Sequence, residues 1–182
     1  MTNKFGHDSL MQICAGVRNG ATILEDYFFT APLKIAKPFY NECEDVMNII
    51  VMAASAGILE GDCYKMNVKL GSGSRVALSG QSYTKIHRMS GGCATQFNEF
   101  SVGEGAFFDY AQKPVIPFAG SVFRSLSECR MKNGSVFLYS DILACGREKR
   151  GERFAFGAYK NSIRVYYEDE LVFLENQLLS PE

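Results

Sequence analysis

The 182-residue sequence has no tryptophan and only two histidines, His7 and His87. Two histidines are too few for an H-E-x-x-H zinc site or for any multi-histidine metal centre. The sequence also lacks a G-x-x-x-x-G-K-[ST] phosphate loop and a G-x-S-x-G nucleophile elbow. These absences exclude P-loop nucleotide hydrolysis, serine hydrolysis of the common kind and histidine-based zinc chemistry.

Paired cysteines are missing as well. The six cysteines are scattered and none forms a C-x-x-C pair: Cys14, Cys43, Cys63, Cys93, Cys129 and Cys145. This spacing excludes a zinc ribbon, and a chain of this length does not need a dense disulfide scaffold. A thiol nucleophile paired with His87 would have to use Cys63, Cys93 or Cys145, and no spacing favours that. We therefore expect the cysteines to be small core residues with reduced thiols.

Neither a strong net charge nor a long apolar run is present. Nineteen basic residues against twenty acidic ones give a net charge of −1, which disfavours nucleic acid as a partner. Residues 1–8 lack the apolar core of a signal peptide, and residues 46–59 are too short for a membrane span of about 20 residues. With 47% hydrophobic residues, the sequence predicts one globular domain over residues 1–182, cytoplasmic and independent of membranes.

What the sequence does contain is short strand-like segments between turn residues. Residues 64–70 alternate apolar and polar side chains, the period of a half-buried strand. The dipeptides Asn19-Gly20 and Asn133-Gly134 each predict a hairpin. The best helix candidate is the short segment 169–179, and no internal repeat of fixed period is visible. The fold class predicted is therefore mostly β, with many short strands and few helices.

The stretch from Gly57 to Asp62 follows an apolar strand predicted over residues 46–52. Gly57 and Gly61 mark places where the backbone needs positive φ or a close approach to another segment. Asp62 puts a carboxylate at the rim of a buried strand. Such a carboxylate suits cation binding or contact with a partner, or it caps its own backbone in an Asx-type turn.

Two charged segments and one apolar segment are further candidates. In residues 82–88, Lys85 and His87 share one face of an extended strand, which indicates either a solvated face or a basic patch for a protein partner. Residues 146–153 form a charged segment that predicts an exposed loop. Residues 114–118 contain two prolines and predict a recognition ridge or a crossing at a sheet edge.

Taken in order, these segments resemble the urease accessory protein family UreD, called UreH in some bacteria. The likeness consists of a series of motifs: residues 57–62, Thr84-Lys85, His87-Arg88, Ile116-Pro117-Phe118, Asp141, Gly146-Arg147 and Gly151-Glu152. Residues 28–40 resemble the amino-terminal segment of the family, and the likeness extends from Ile23 to Pro181. Because family members usually extend further at the carboxyl end, the resemblance leads us to expect that this chain lacks their carboxyl-terminal part.

The resemblance implies a β-rich fold of stacked sheets in a helical-like arrangement. It also implies a non-enzymatic chaperone, a scaffold for nickel insertion into urease. The partners it implies are apo-urease subunits, urease accessory protein F and, through F, the GTPase accessory protein G. No cofactor is expected to bind tightly, and nickel is expected to pass transiently through the interior.

The resemblance also points to particular residues. Asp62, Asp141 and Glu152 match acidic family positions and are the expected transient nickel relay, since oxygen ligands bind nickel less tightly than imidazole or thiolate. Alternatively, Asp141 and Glu152 pair with Arg147 or Arg150. The expected partner-binding residues are basic: Lys85, His87, Arg88, Arg147 and Arg150. His87 stands where the family leads us to expect an aromatic residue, so it is either a ligand or a replacement for an aromatic contact.

Two other functions stay open on the sequence. One is a β-rich module that only binds proteins. The other is a hydrolase or transferase that uses Asp62, Lys85 and Asp141, because a carboxylate framed by glycines is followed by a base. A closed pocket joining these three residues would favour the enzyme.

Overall fold

A computed structural model describes residues 6–40 and 45–181, so Cys43 lies outside the described residues. The strands are β1 (Asp8–Arg18), β2 (Ala21–Phe29), β3 (Leu33–Ile35), β4 (Phe39–Tyr40), β5 (Met47–Ala53), β6 (Cys63–Leu70), β7 (Arg75–Gly80), β8 (Thr84–Ile86), β9 (Ala94–Val102), β10 (Phe107–Ala111), β11 (Val115–Pro117), β12 (Val122–Met131), β13 (Val136–Ser140), β14 (Ala158–Tyr167) and β15 (Glu170–Leu179). One 3-10 turn, Glu148–Arg150, accompanies them. The mostly β prediction is confirmed.

The strands form three sheets. The first sheet has the order β15-β14-β12-β9-β6-β1-β2, and the second has the order β13-β10-β7-β5-β3, with β4 also paired to β5. The third is the two-stranded pair of β8 and β11. Within the first sheet, strands β1, β6, β9, β12 and β14 are parallel, and within the second, β5, β7, β10 and β13 are parallel.

This pairing makes the chain a parallel β-helix of four coils. Each coil runs along the second sheet, passes a corner and returns along the first sheet, as in β7-β8-β9 and β10-β11-β12. In the first and last coils a single bridge replaces the corner strand, Ile58 with Ile86 and Leu143 with Val115. We call this third side of the helix the corner side. The arrangement expected from the family resemblance is confirmed.

The three turns that lead from one coil to the next, from the first sheet to the second, all have the same length. Four residues separate β6 from β7, β9 from β10 and β12 from β13. The third residue of each turn is a glycine with positive φ: Gly73, Gly105 and Gly134. Successive turns bond to one another, since Gly73 N donates to Glu104 O at 2.8 Å and Gly105 N to Asn133 O at 2.9 Å. The hairpin prediction for Asn133-Gly134 is therefore wrong, because this turn joins strands of two different sheets.

The core lies between the first and second sheets. Alternate side chains of each strand point inward, and the register stacks Met47, Val76, Phe108 and Phe137 in one column. Phe100 reaches this column from the first sheet, with ring centroids 5.2 Å from Phe108 and 5.9 Å from Phe137. This aromatic contact closes the half of the core that adjoins the turns.

Both ends of the helix carry antiparallel strands. The Asn19-Gly20 hairpin is confirmed, with Arg18 opposite Ala21 in the β1–β2 pair. At the other end, Glu168 and Asp169 have positive φ and turn β14 back into β15. The helix prediction for residues 169–179 is therefore wrong, because this turn pairs the segment with β14 as a strand. In the described part of the chain, no helix is long and apolar enough to cross a membrane.

Candidate functional site

The Gly57 corner lies against the next coil. Gly57 has a φ of 145°, and a Cβ atom there would lie 2.5 Å from the carbonyl oxygen of Lys85. Ile58 N donates to Lys85 O at 2.8 Å, and His87 N donates to Ile58 O at 2.9 Å. The close approach predicted for this glycine is confirmed, and it fixes the first corner to the second.

Asp62 ends that corner as a buried turn residue. One carboxylate oxygen, Oδ2, accepts a hydrogen bond from Leu59 N at 2.8 Å, and the other, Oδ1, accepts one from His7 N at 3.2 Å. The residue is only 6% exposed. Backbone groups thus occupy both carboxylate oxygens, which matches the capping interpretation of Asp62.

Farther along the corner side, side chains stack from coil to coil. The His87 ring packs on Phe118 with centroids 4.8 Å apart, and the Arg147 guanidinium carbon lies 3.8 Å from the Phe118 centroid. Arg147 also forms a bidentate ion pair with Glu152, with Nε 2.8 Å from Oε2. His87 thus makes the contact that an aromatic residue would make, and its Nε2 lies 3.2 Å from Ala56 O.

The Glu152 carboxylate is further fixed by Ala119 N, which donates to Oε2 at 3.1 Å. The hydrogen bonds from Arg147, followed by that from Ala119, hold the pKa of Glu152 below its ordinary value. The remaining basic residues predicted for partner binding, Lys85, Arg88 and Arg150, are exposed on the same corner side. The structure therefore places all five on one side of the helix.

A cavity of about 160 Å³ lies inside the helix, toward the corner side. Its lining includes inward residues of the first sheet, where the register stacks Gln96, Ser125 and Asn161 in one column. In the next column, Asn98 Nδ2 donates to Ser127 Oγ at 2.9 Å. Inward positions near the corner side thus carry polar side chains, whereas inward positions in the half of the core that adjoins the turns carry apolar ones.

Asp141 and three tyrosines complete this lining. Asn161 Nδ2 donates to Asp141 Oδ2 at 2.7 Å and to Tyr139 OH at 3.2 Å. Tyr159 OH donates to the same carboxylate at 3.1 Å, and Tyr110 stacks on Tyr139 with centroids 6.0 Å apart. The carbonyl oxygen Asn161 Oδ1 is buried and has no hydrogen-bond partner in the described part of the chain.

Burial alters the acid–base properties of this group. It raises the pKa of Asp141 above its ordinary value, although the hydrogen bonds from Tyr159 and Asn161 act in the opposite direction. Burial, with a smaller contribution from the Asp141 charge, also raises the pKa of Tyr159. The tyrosine hydroxyls are therefore neutral at physiological pH, and this part of the cavity presents a set of neutral oxygens around one carboxyl group, while Lys65, Lys85 and Lys113 also belong to the lining.

The three acids predicted as a relay are thus in different places. Asp141 lines the cavity, Asp62 caps the first corner and Glu152 pairs with Arg147. Among residues 6–40 and 45–181, no group of three or more His, Cys, Asp or Glu residues could hold a metal ion. The cavity lining includes Lys85 and Asp141 but not Asp62, so this cavity does not join the three residues of the hydrolase hypothesis.

Sequence reasoning missed most of the cavity. Its tyrosines, Asn161 and Gln96 come from strands that are distant in sequence. One signal was available, since Asn98, Ser127 and Asn161 interrupt the apolar alternation of their strands at inward positions. Polar residues at such positions indicate an interior network or a solvated channel.

Comparison with known proteins gives one consistent result. A sequence model of the UreD urease accessory protein family matches residues 8–182. Urease accessory protein UreD of Acetivibrio thermocellus is 56% identical over the whole chain, which spans 70% of that protein. Urease accessory protein UreH of Helicobacter hepaticus is 39% identical over 90% of the chain and 64% of its own length. UreH of Helicobacter pylori strain P12 is 31% identical over 99% of the chain and 68% of its own length.

Proposed function

Because the chain belongs to the UreD family of urease accessory proteins, we propose that it is a non-enzymatic cytoplasmic scaffold for urease maturation. In this role it binds apo-urease and other accessory proteins while nickel enters the urease active site. The observation that carries the proposal is the family match over residues 8–182. The resemblance noted in the sequence is thereby confirmed at the level of the family.

The interior cavity supports a role in passing nickel on as cargo. Its lining offers the Asp141 carboxyl, tyrosine hydroxyls and amide oxygens, and no thiolate or imidazole among the described lining residues. Oxygen donors hold a divalent transition metal ion more weakly than nitrogen or sulfur donors, so an ion that enters can leave. The buried and unpartnered Asn161 Oδ1 would contact the hydration shell of such an ion.

Within this proposal, Asp141 is the acidic residue that contacts the nickel ion. The oxygens of Asp62 accept backbone N–H groups, and those of Glu152 bind Arg147 and Ala119 N. An ion at either of those acids would have to displace these partners. Asp141 instead lines the cavity and accepts hydrogen bonds from the neutral side chains of Tyr159 and Asn161.

The corner side is the proposed contact for accessory protein F, and through it for the GTPase accessory protein G. Lys85, Arg88 and Arg150 are exposed there. His87 and Arg147 stack on Phe118 beside them, which keeps the surface in one conformation. A rigid surface loses less entropy on binding than a mobile loop does.

The experiment is urease maturation in a urease-positive cell with and without the gene for this chain. We expect urease purified from the deletion strain to contain little nickel by mass spectrometry, and the wild-type gene to restore it. Asp141→Asn should lower the nickel content several-fold while the chain still co-purifies with apo-urease. Asp109→Asn is the matched control, because burial raises the pKa of Asp109 too but this residue does not line the cavity.

Full nickel loading in the deletion strain would contradict the maturation role. Co-purification with apo-urease combined with normal nickel loading in that strain would instead favour the second candidate, a β-rich module that only binds proteins. The exposed side chains on the outer face of the first sheet are the observation that keeps this second candidate open.

A further inference from the structure

The outer face of four neighbouring strands of the first sheet is basic. Six outward side chains on β6, β9, β12 and β14 are cationic and exposed: Lys65, Lys69, Arg124, Arg130, Lys160 and Arg164. Only Glu99 and Glu128 oppose them on the outward positions of these four strands. The chain as a whole has a net charge of −1, so this face departs from the average of the molecule. We call it the basic face.

The cations of the basic face are placed next to one another. The parallel register puts Arg124 beside Lys160 on neighbouring strands, which are about 4.8 Å apart in a β-sheet. Arg130 binds Glu128 at 2.7 Å, whereas the other five cations have no ion pair within the described ranges. Like charges directly opposite each other destabilise a sheet. The stability of the fold therefore gives no reason for this arrangement.

An apolar group lies in the middle of the basic face. Phe97 is 41% exposed and stands in register between Lys65 and Leu126. Leu174 and Leu178 extend the apolar area on β15, beside Arg164 and Lys160. An apolar centre with a charged rim is the usual anatomy of a protein–protein interface, and aromatic and arginine residues dominate its binding energy.

We infer that the basic face docks an acidic surface of a folded protein partner, with Phe97 as the apolar anchor. Charge complementarity identifies this occupant, because unpaired cations attract an acidic surface and steer its approach. Nucleic acid fits less well, since the sequence pI is 6.2 and Glu99 and Glu128 stand in the middle of the face. This face is distinct from the corner side, and of its six cations only Lys65 is also among the residues that line the cavity.

The two parts of the basic face have different kinetic roles. Arg124 and Lys160 raise the association rate and make it depend on salt, because they act before contact. Phe97 lowers the dissociation rate, because the part of it that is exposed in the free chain, 41%, is buried in the complex. Separate substitutions can therefore test the charges and the anchor.

The inference rests on the proposed function for its probes, which are purified apo-urease and purified accessory protein F. Binding rates of the full chain to each are measured by biolayer interferometry at 50 and 300 mM salt. For one of the two, we expect Arg124→Gln/Lys160→Gln to slow association about tenfold at low salt and to remove most of the salt dependence. Phe97→Ala should speed dissociation about tenfold or more.

The matched control is Lys34→Gln/Lys37→Gln, which removes the same charge from exposed residues outside the first sheet. Its rates should equal those of the wild type. Equal rates for the basic-face variants and the control, in complexes that do form, would overturn the basic face and leave the proposed function intact. Binding to duplex DNA that needs Arg124 and Lys160, without an effect on either protein, would also overturn it. A wild-type chain that binds neither protein would contradict the proposed function as well.

Discussion

The guanidinium of Arg147 lies over the ring of Phe118, with the guanidinium carbon 3.8 Å from the ring centroid. Its N–H groups point at Glu152, so one side chain joins an aromatic contact to an ion pair. This relationship ties the long segment between β13 and β14 to the preceding coil.

We expect Arg147→Gln to lower the melting temperature by a few degrees at pH 7. The pKa of Glu152 is depressed in the folded chain, so its pairing stabilises the fold above the unfolded pKa of about 4.3 and is lost as pH falls through the folded value. The difference from wild type should therefore shrink below about pH 4. Thermal melts at pH 3 and pH 7 check this, with the exposed Arg153→Gln as the control. A difference that is the same at both pH values would point to packing on Phe118 instead.

Asp141→Asn should leave the chain at least as stable as wild type at pH 7.5. Burial raises the pKa of Asp141, so the folded state becomes less favourable as pH rises through that value. The neutral amide removes this penalty and can still accept a hydrogen bond from Tyr159 or Asn161. Melting temperatures at pH 4.5, 6 and 7.5 should show the variant gaining on wild type as pH rises. A melting temperature of Asp141→Asn that falls further below that of wild type as pH rises would contradict the role given to burial.

Asp62→Ala should destabilise the chain by about 1–3 kcal/mol, because it removes the acceptor of two N–H groups at a buried turn. Asp62→Asn keeps one carbonyl oxygen and should recover part of this loss. Urea denaturation curves measure both. An Asp62→Ala variant as stable as wild type would contradict the capping role.

Gly57→Ala should cost at least about 1–3 kcal/mol, since the residue has a φ of 145° and a Cβ there would lie 2.5 Å from Lys85 O. Gly91→Ala is the control, because no atom lies within 4 Å of its Cβ position and its φ is not in the positive region. We expect the control to stay within about 0.5 kcal/mol of wild type. If the two variants were equally stable in urea, the backbone around Gly57 would have to move to accommodate the Cβ atom, and the predicted cost would be contradicted.

Phe100→Ala should cost about 3–5 kcal/mol, since its ring is only 2% exposed and packs on Phe108, Tyr110 and Phe137. Phe97→Ala, on the outer face of the same strand, should change the unfolding free energy by less than about 0.5 kcal/mol. Chemical denaturation compares the two. A large loss in Phe97→Ala would mean that this residue stabilises the fold rather than a complex.

The sequence predicted the strands better than their pairing. Alternation over residues 64–70 and the Asn19-Gly20 turn led directly to β6 and to the β1–β2 hairpin. Alternation has the same period in parallel and antiparallel sheets, so it could not show that β12 and β13 lie in different sheets. Likewise, the turn after β14 lets residues 170–179 pair with β14 as a strand. This segment is too short for its hydrophobic pattern to distinguish a strand from a helix.

For the candidate site, sequence separation decided what could be predicted. The Leu59–Asp62 and Arg147–Glu152 contacts span three and five residues, and both interpretations were available from local spacing. The contacts of Asp141 with Tyr159 and Asn161 span 18 and 20 residues and depend on how the last coil closes. Such contacts follow from the register of the sheets, which short motifs do not specify.

The coils differ in length, and the difference lies entirely on the corner side. Every turn that joins one coil to the next, from the first sheet to the second, has four residues, whereas the corner segments range from nine residues, between β5 and β6, to 17, between β13 and β14. A residue gained or lost in a turn would break the hydrogen bonds from turn to turn, but one gained in the exposed part of a corner segment, such as residues 148–151, only lengthens a loop. Insertions and deletions among related chains should therefore accumulate at the corners, and divergence there can alter partner contacts without disturbing the helix.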